Sequence, residues 1–289
     1  MSFSFSIYRP SAWLLATGED AQAFLQGQFS NDVGIARENE AVYGLWLDHR
    51  GKVLADSYIL KAPAGGFWIG SFFSSAKTIL DRLERYIVAD DVSIADQSSA
   101  WQGAALLGEG ARTWLAGAIG GGEISFGSRR SSGESAEWIF PAGTVSSVRE
   151  KLAAAREIDS AALEQLRIAG RLPAVPIDIG PGDLPQEGGL EASVCATKGC
   201  YVGQEIMARL QTRGRLRRGL RGVEGAGSPP PVGAALWQGE RRVGTMKSSV
   251  EREAGGFLGL ALLTLAEARP GMPLALEAGG AGVLSSVSL

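Results

Sequence analysis

Apolar positions recur along this chain at two different spacings, and each change of spacing marks an element. Ala21, Phe24, Leu25 and Phe29 fall at helical intervals behind Thr17, which reads as an N-cap with Asp20 three residues on; Ser30-Asn31-Asp32 closes that helix. VYGLWL (42–47) and KVLADSYIL (52–60) are rich in β-branched and aromatic residues. The turn Asp48-His49-Arg50-Gly51 between them, with Gly51 placed for a positive φ, predicts a β-hairpin. A strand at FWIG (67–70) leads into a helix of about 75–86, where Ile79, Leu80, Leu83 and Ile87 share a face. VSI (92–94), ALL (105–107) and EWIF (137–140) read as extended, followed by a helix over 144–158. This order suits an α+β unit of split βαβ pieces.

A further helix starts near Asp159, is expected to bury Leu163, Leu166 and Ala169, and stops at Gly170 with Pro173 beyond. The next stretch, RLPAVPIDIGPGDLPQEGGL, is nearly all loop, and so long a Pro/Gly-rich segment inside a compact protein is functional or tightly packed more often than idle. After Arg221 short strand candidates crowd together (PPPVGAALW, RRVGTMKSS, FLGLALL, MPLAL, GVLSSV). They predict a small β-barrel or sandwich over about 216–289.

Composition narrows the function classes. The chain has 289 residues, enough for two or three compact units, with 45% hydrophobic and 20% charged residues and a net charge of −3. That balance excludes disorder and a global nucleic-acid-binding field, so any basic site is local. The N-terminus lacks a signal-peptide pattern and no run of about 18 apolar residues is present, which reads as cytosolic with no membrane partner. Two cysteines, Cys195 and Cys200, with the single histidine His49, cannot by themselves complete a four-ligand zinc or iron–sulfur centre, so no metal site is assigned.

One of those cysteines lies in KGCYVGQE (198–205). A thiolate is favoured by nearby positive charge, and Lys198 is two residues away, while Gly199 and Gly203 permit tight turns. On spacing alone, a small buried hydrophobe is the better account of Cys200. Glu187 stands between Pro185 and a glycine pair, where an acid could receive N–H donors from a heterocycle or simply be solvated. In ARLQTRGRLRRGLRG, strand alternation would put Arg213, Arg215 and Arg217 on one face, fit for phosphates, a polyglutamate tail or RNA; a charged edge strand serves as well. Arg167 and Arg171 suit a helix C-terminal dipole.

KGCYVGQE, preceded by LPQE and followed by the arginine run, resembles the YgfZ family of folate-binding proteins, related to iron–sulfur assembly factors and more distantly to the glycine-cleavage aminomethyltransferase (T-protein). LLATGEDAQAFLQGQFSNDV and GLWLDHRGKVLADSYIL are similar to the family's opening segment and first hairpin, so the resemblance spans most of residues 13–221. It implies a GcvT/YgfZ-like α+β fold: residues 1–40 with 160–215, interleaved with a ferredoxin-like unit at 41–159, plus a C-terminal barrel at 216–289, around a folate-sized cavity. It implies a tetrahydrofolate-binding accessory protein supporting assembly or repair of client iron–sulfur enzymes, including tRNA-modifying ones. Whether it catalyses a reaction of its own stays open. Cys200 and Lys198 are then the catalytic pair, with Cys200 near the rim of the cavity. Glu187, Tyr201, Gly203, Gln204, Glu205 and Arg215 bind the folate. The alternative is a folate-dependent aminomethyl- or methyltransferase of the T-protein type, for which Asp32 is the nearest acid; T-proteins lack the cysteine signature. An RNA-binding module using the arginines ranks third, given the acidic balance.

Overall fold

In the computed structural model, residues 1–213, 216–282 and 284–287 are described; they form three five-stranded sheets. The first has the order β3 (Val42–Leu47), β4 (Val53–Lys61), β5 (Phe67–Ser71), β2 (Ala12–Thr17), β6 (Ser93–Asp96), antiparallel throughout. The second runs β10 (Arg156–Glu157), β1 (Ser4–Tyr8), β7 (Trp101–Leu107), β9 (Ser135–Pro141), β8 (Ile124–Gly127), in which only β10 and β1 are parallel. The third is β12 (Ala235–Gln238), β13 (Arg241–Glu251), β14 (Phe257–Thr264), β11 (Arg218–Gly225), β15 (Leu284–Val287). It curls, with Ala275 bridging to Trp237 at one edge and Leu274 to Leu284 at the other.

The first sheet is buried on both faces, which is why its strands read as apolar runs rather than alternations. Leu14, Ile59 and Ile69 pack under α1 (Ala21–Gln28) and α2 (Ala76–Glu84), together with Phe24, Leu25, Ile79 and Leu83. Their strand neighbours Trp13, Tyr58, Leu60 and Trp68 meet Ile124, Phe126 and Ile139 of the second sheet. That sheet carries α3 (Ala111–Ala118) and α4 (Val145–Lys151) on its other side through Leu115, Val148 and Leu152. The Pro/Gly-rich stretch after α5 (Ser160–Ala169) is a packed connector. Val175, Ile179, Leu190, Val194 and Tyr201 join Leu45, Leu47 and Val53 of the hairpin to Met207 of α6 (Gln204–Arg213) and to Leu220, Leu260 and Leu262 of the third sheet.

Several expectations change. Thr17 ends β2 and Asp20 is the N-cap residue of α1, because Gly18 at φ 114° turns the chain between them. The first two strands were not anticipated. The 144–158 helix stops at Lys151 and the chain re-enters the second sheet as β10. On α5 the buried residues are Arg167 and Ile168, whereas Leu166 is exposed. A charged residue can replace leucine on the inner face because Asp178 and Glu164 neutralise it there. The arginine run is not one strand among the described residues: Arg213 ends α6 and Arg217 is exposed ahead of β11, while Arg215 lies outside the described residues.

Candidate functional site

The signature begins on a loop docked against the end of α1. A helix leaves its last carbonyls without intrahelical partners. Lys198 fills that need: its Nζ donates to the carbonyl of Phe29 at 2.7 Å and to that of Gln26. Gln26 is the hub of the junction. Its Nε2 donates to Asp32 Oδ1 at 3.0 Å and to the Lys198 carbonyl at 3.2 Å, and its Oε1 accepts from Val33 N at 2.8 Å. On the same loop Cys195 N donates to Ser30 O, and Ser30 Oγ donates to Ser193 O at 2.6 Å.

Burial pushes the Lys198 ammonium down to about 8, against the opposing pull of Asp32 and Cys195. The Lys198 charge interacts with the Cys195 thiol, and its hydrogen bonds tie the loop to the end of α1. A lysine whose folded pKa lies below its ordinary 10.5 loses its proton in the folded state first, so stability at this site rises as pH climbs from about 8 to 10.5. Melting curves of the wild type and Lys198→Met across that window should show the gain in the wild type only; parallel curves would reject it.

Cys200 is exposed and Cys195 half-buried, both as free thiols. Tyr201 is buried in the connector core, its ring 5.0 Å from Lys198 Nζ. Gln204 Oε1 accepts from Tyr201 N, and Glu205 is an exposed partner of Arg209 at 2.5 Å. Gly203, at φ 88°, backs onto the hairpin turn so closely that a Cβ there would stand 2.7 Å from Asp48 O. Exposed His49 lies in the same turn. The companions of Cys200 thus build and anchor its loop. Asp32 caps the turn after α1, accepting from Gly34 N as well as Gln26.

Glu187 is buried with both oxygens engaged. Arg218 Nε donates to Oε1 at 3.0 Å, and Oε2 accepts from Arg218 Nη2 at 2.9 Å and Leu184 N at 2.7 Å. Arg218 also reaches Asp183 at 3.0 Å, so the LPQE loop is clamped to β11. Gly188 and Gly189, rather than Glu187 itself, border a space beside the loop.

That space is a cleft of about 360 Å³ lined by Arg129, Ser132, Ala169, Gly170, Arg171 and Pro173, with Gly188 and Gly189. Two guanidiniums and no carboxylate line it. Sharing Arg129 and Pro173 with it is a narrow polar crevice walled by Tyr43, Asp56, Tyr58, Phe72, Phe73, Arg167 and Leu172. Asp56 Oδ1 accepts from Ser71 and Ser74, and among the described residues its Oδ2 takes only Tyr43 OH, at 3.1 Å. Burial raises the Asp56 carboxyl despite these bonds, and raises the Tyr43 phenol further, aided by Asp56. Arg129 lies over the Tyr43 ring at 5.0 Å, and its Nη1 reaches Ser193 Oγ at 3.5 Å. Cys200 lines neither space; Arg129, Ser193 and Ser30 connect its loop to the cleft. Asp56, Arg129 and Gln26 were missed because nothing local marks them. Asp56 sits mid-strand and Gln26 mid-helix, and their partners lie far along the chain.

The sequence matches the family model of the GCVT N-terminal domain over residues 12–128. It is 28% identical over 270 residues to the tRNA-modifying protein YgfZ of Cronobacter sakazakii, covering 85% of this chain and 80% of that protein. The Escherichia coli (strain SE11) YgfZ is 29% identical over 267 residues, covering 84% and 80%. The chain is thus similar to YgfZ proteins over most of its length. The aminomethyltransferase T of the Bartonella henselae glycine cleavage system superposes on this chain with a TM-score of 0.81, covering 99% of this chain and 85% of that one at 20% identity. That likeness establishes the GcvT-like fold. No helix of the described residues is long and apolar enough to cross a membrane, and none of their His, Cys, Asp and Glu side chains group by three or more around a metal position.

Proposed function

We propose that this protein has a YgfZ-type accessory role in tRNA modification in the cytoplasm, using a tetrahydrofolate-class cofactor in the cleft and Cys200 as the thiol presented to client iron–sulfur enzymes. The observation that carries the reading is the pairing of an arginine-lined, acid-free cleft with an aromatic crevice around Asp56. Folate has matching chemistry: a flat pterin with N–H donors at one end and carboxylates at the other. Asp56 Oδ2 has acceptor capacity left for such donors, the crevice around it is walled by aromatic rings, and Arg129 and Arg171 suit the carboxylates. The cleft, at about 360 Å³, falls in the range of small-molecule sites, roughly 300–1,000 Å³, while the crevice, at about 20 Å³, admits only the edge of a ligand seated in the cleft. When bound, the reduced folate supplies one-carbon or electron-rich pterin chemistry.

Within this reading Glu187 acts through the loop it clamps, holding Gly188 and Gly189 at the wall. Gly203, Gln204 and Tyr201 hold Cys200 at the surface. The sequence similarity to YgfZ, and a cleft lined by two arginines with no carboxylate, favour an accessory factor over a T-protein-type transferase.

Calorimetric titration of tetrahydrofolate tests the cofactor. Saturable binding is expected, weakened about tenfold or more in Arg129→Ala and Asp56→Ala, since hydrogen bonds to charged groups are worth roughly 1.5–3 kcal/mol. A smaller loss is expected in Glu187→Ala. Absence of binding to the wild type would reject the cofactor, and unchanged binding in Glu187→Ala would reject the clamp's part in it. Cys200→Ala should fail to restore client-enzyme activity in cells lacking the protein; full restoration would remove the thiol from the mechanism.

A further inference from the structure

The two cysteines of this 289-residue chain fall on one six-residue loop, and the structure treats them differently. Cys195 is the fixed member. Its backbone is tied to Ser30 O, and its half-buried Sγ lies 3.6 Å from Thr197 Oγ1. Burial works against its thiolate, but donation from the Thr197 amide and hydroxyl and from the Lys198 amide outweighs it and leaves the thiol lowered. Backbone N–H groups converging on one atom form an anion-favouring nest.

Cys200 is the free member. It is exposed, and among the described residues no hydrogen bond holds either Gly199 or Cys200. Gly199 has φ 97° and open space where a Cβ would stand. The chain already bends at 196–198. Five residues of chain reach at most about 17 Å when extended, and a disulfide needs Cα atoms about 4.4–6.8 Å apart. A bent loop with a glycine hinge beside one cysteine, and an anchored residue at the other, is a geometry suited to closing that span.

We propose that Cys195 is the resolving thiol of Cys200, making the loop a two-thiol exchange site for disulfides. Cys200 thiolate attacks one sulfur of a partner disulfide, forming a mixed disulfide and expelling the partner's first thiolate. Cys195 thiolate then attacks Cys200 Sγ, closing a Cys195–Cys200 disulfide and expelling the second. The partner disulfide gains two electrons and the protein dithiol loses two; an external dithiol reductant restores the loop. Lys198 keeps Cys195 in place through its bonds to α1, and the hinge brings Cys200 to it.

The proposal rests on Cys200 being the working thiol, and the test separates the two ideas. The wild type, Cys195→Ser and Cys200→Ser are incubated with glutathione disulfide, and intact and peptide masses are followed. Serine keeps the backbone bond to Ser30, so the loop anchor survives in Cys195→Ser. That variant should accumulate a glutathione adduct on Cys200. The wild type should show on the order of tenfold less adduct and instead lose two hydrogens within the peptide carrying both cysteines, because a thiol on the same short loop acts at roughly millimolar effective concentration. Thr197→Val, lacking the hydroxyl donor, should resolve the adduct several-fold more slowly. A wild type that holds the adduct as stably as Cys195→Ser would overturn the resolving role while leaving Cys200 as a thiol site. Failure of Cys200 to react in either protein would overturn the proposal together with the thiol reading beneath it.

Discussion

Replacing Asp178 by alanine is expected to destabilise the protein by about 3–5 kcal/mol, the range for breaking a buried ion pair by removing one partner. Asp178 has no exposed surface. Its Oδ2 accepts from Arg167 Nη1 at 2.6 Å and Ala174 N at 2.8 Å, and its Oδ1 from Ser248 Oγ at 2.5 Å. One carboxylate thus ties α5, the connector and β13 together. Without it the guanidinium of Arg167, itself buried, keeps Glu164 but loses its enclosed counter-charge. Asp178→Asn retains acceptor capacity and should cost less than alanine. The double variant Arg167→Met, Asp178→Leu should be less damaging than Asp178→Ala, since no uncompensated charge remains. Denaturant midpoints decide the matter. A cost below about 1 kcal/mol for alanine, the worth of a surface pair, would mean that Arg167 finds water there. Because Arg167 also walls the polar crevice, ligand binding should fall with stability in Asp178→Ala.

The second large effect is expected at Gly203. Its φ of 88° is a left-handed conformation costing an L side chain roughly 1–2 kcal/mol. A methyl group would also meet backbone, at 2.7 Å from Asp48 O and 3.1 Å from Gly51 Cα. That turn cannot yield easily: Asp48 N donates to Lys52 O, Gly51 N to Asp48 O, and Asp48 Oδ1 accepts from Arg50 N and Lys52 N. Overpacking of this kind adds about 1–3 kcal/mol. Gly199→Ala is the matched control, with φ 97° and no atom within contact distance of the added carbon. Gly203→Ala should lower the denaturation midpoint clearly more than Gly199→Ala, and it should alter the rate at which a chromogenic disulfide reagent modifies Cys200. Equal midpoints would mean that the hairpin turn moves aside.

The hairpin at 42–60 and the helix at 75–86 were legible because their apolar spacing matches the faces they bury, and because Gly51 and Ser75 mark their ends by local chemistry. The strand at Ser4–Tyr8 is legible too, in the alternation of SFSFSI over residues 2–7. α5 was misread for a physical reason: a hydrophobic pattern assigns Leu166 to the core, and only the arrival of Asp178 and Ser248 makes Arg167 the better inward residue. The signature was recognisable as a motif while the work of its lysine was not. Lys198 meets carbonyls of residues 172 and 169 positions earlier.

What the sequence by itself determined is therefore local and covalent: the period of each element, the glycines that turn the chain, and two thiols confined to one loop. Tertiary structure alone decided which groups those elements meet. It gave Glu187 to Arg218, Lys198 to α1, and Arg129 both to the cleft and to Ser193. Periodicity encodes the face a residue presents, whereas its charge partner is fixed by how sheets and connectors pack. The chemistry of this site is made of such partners.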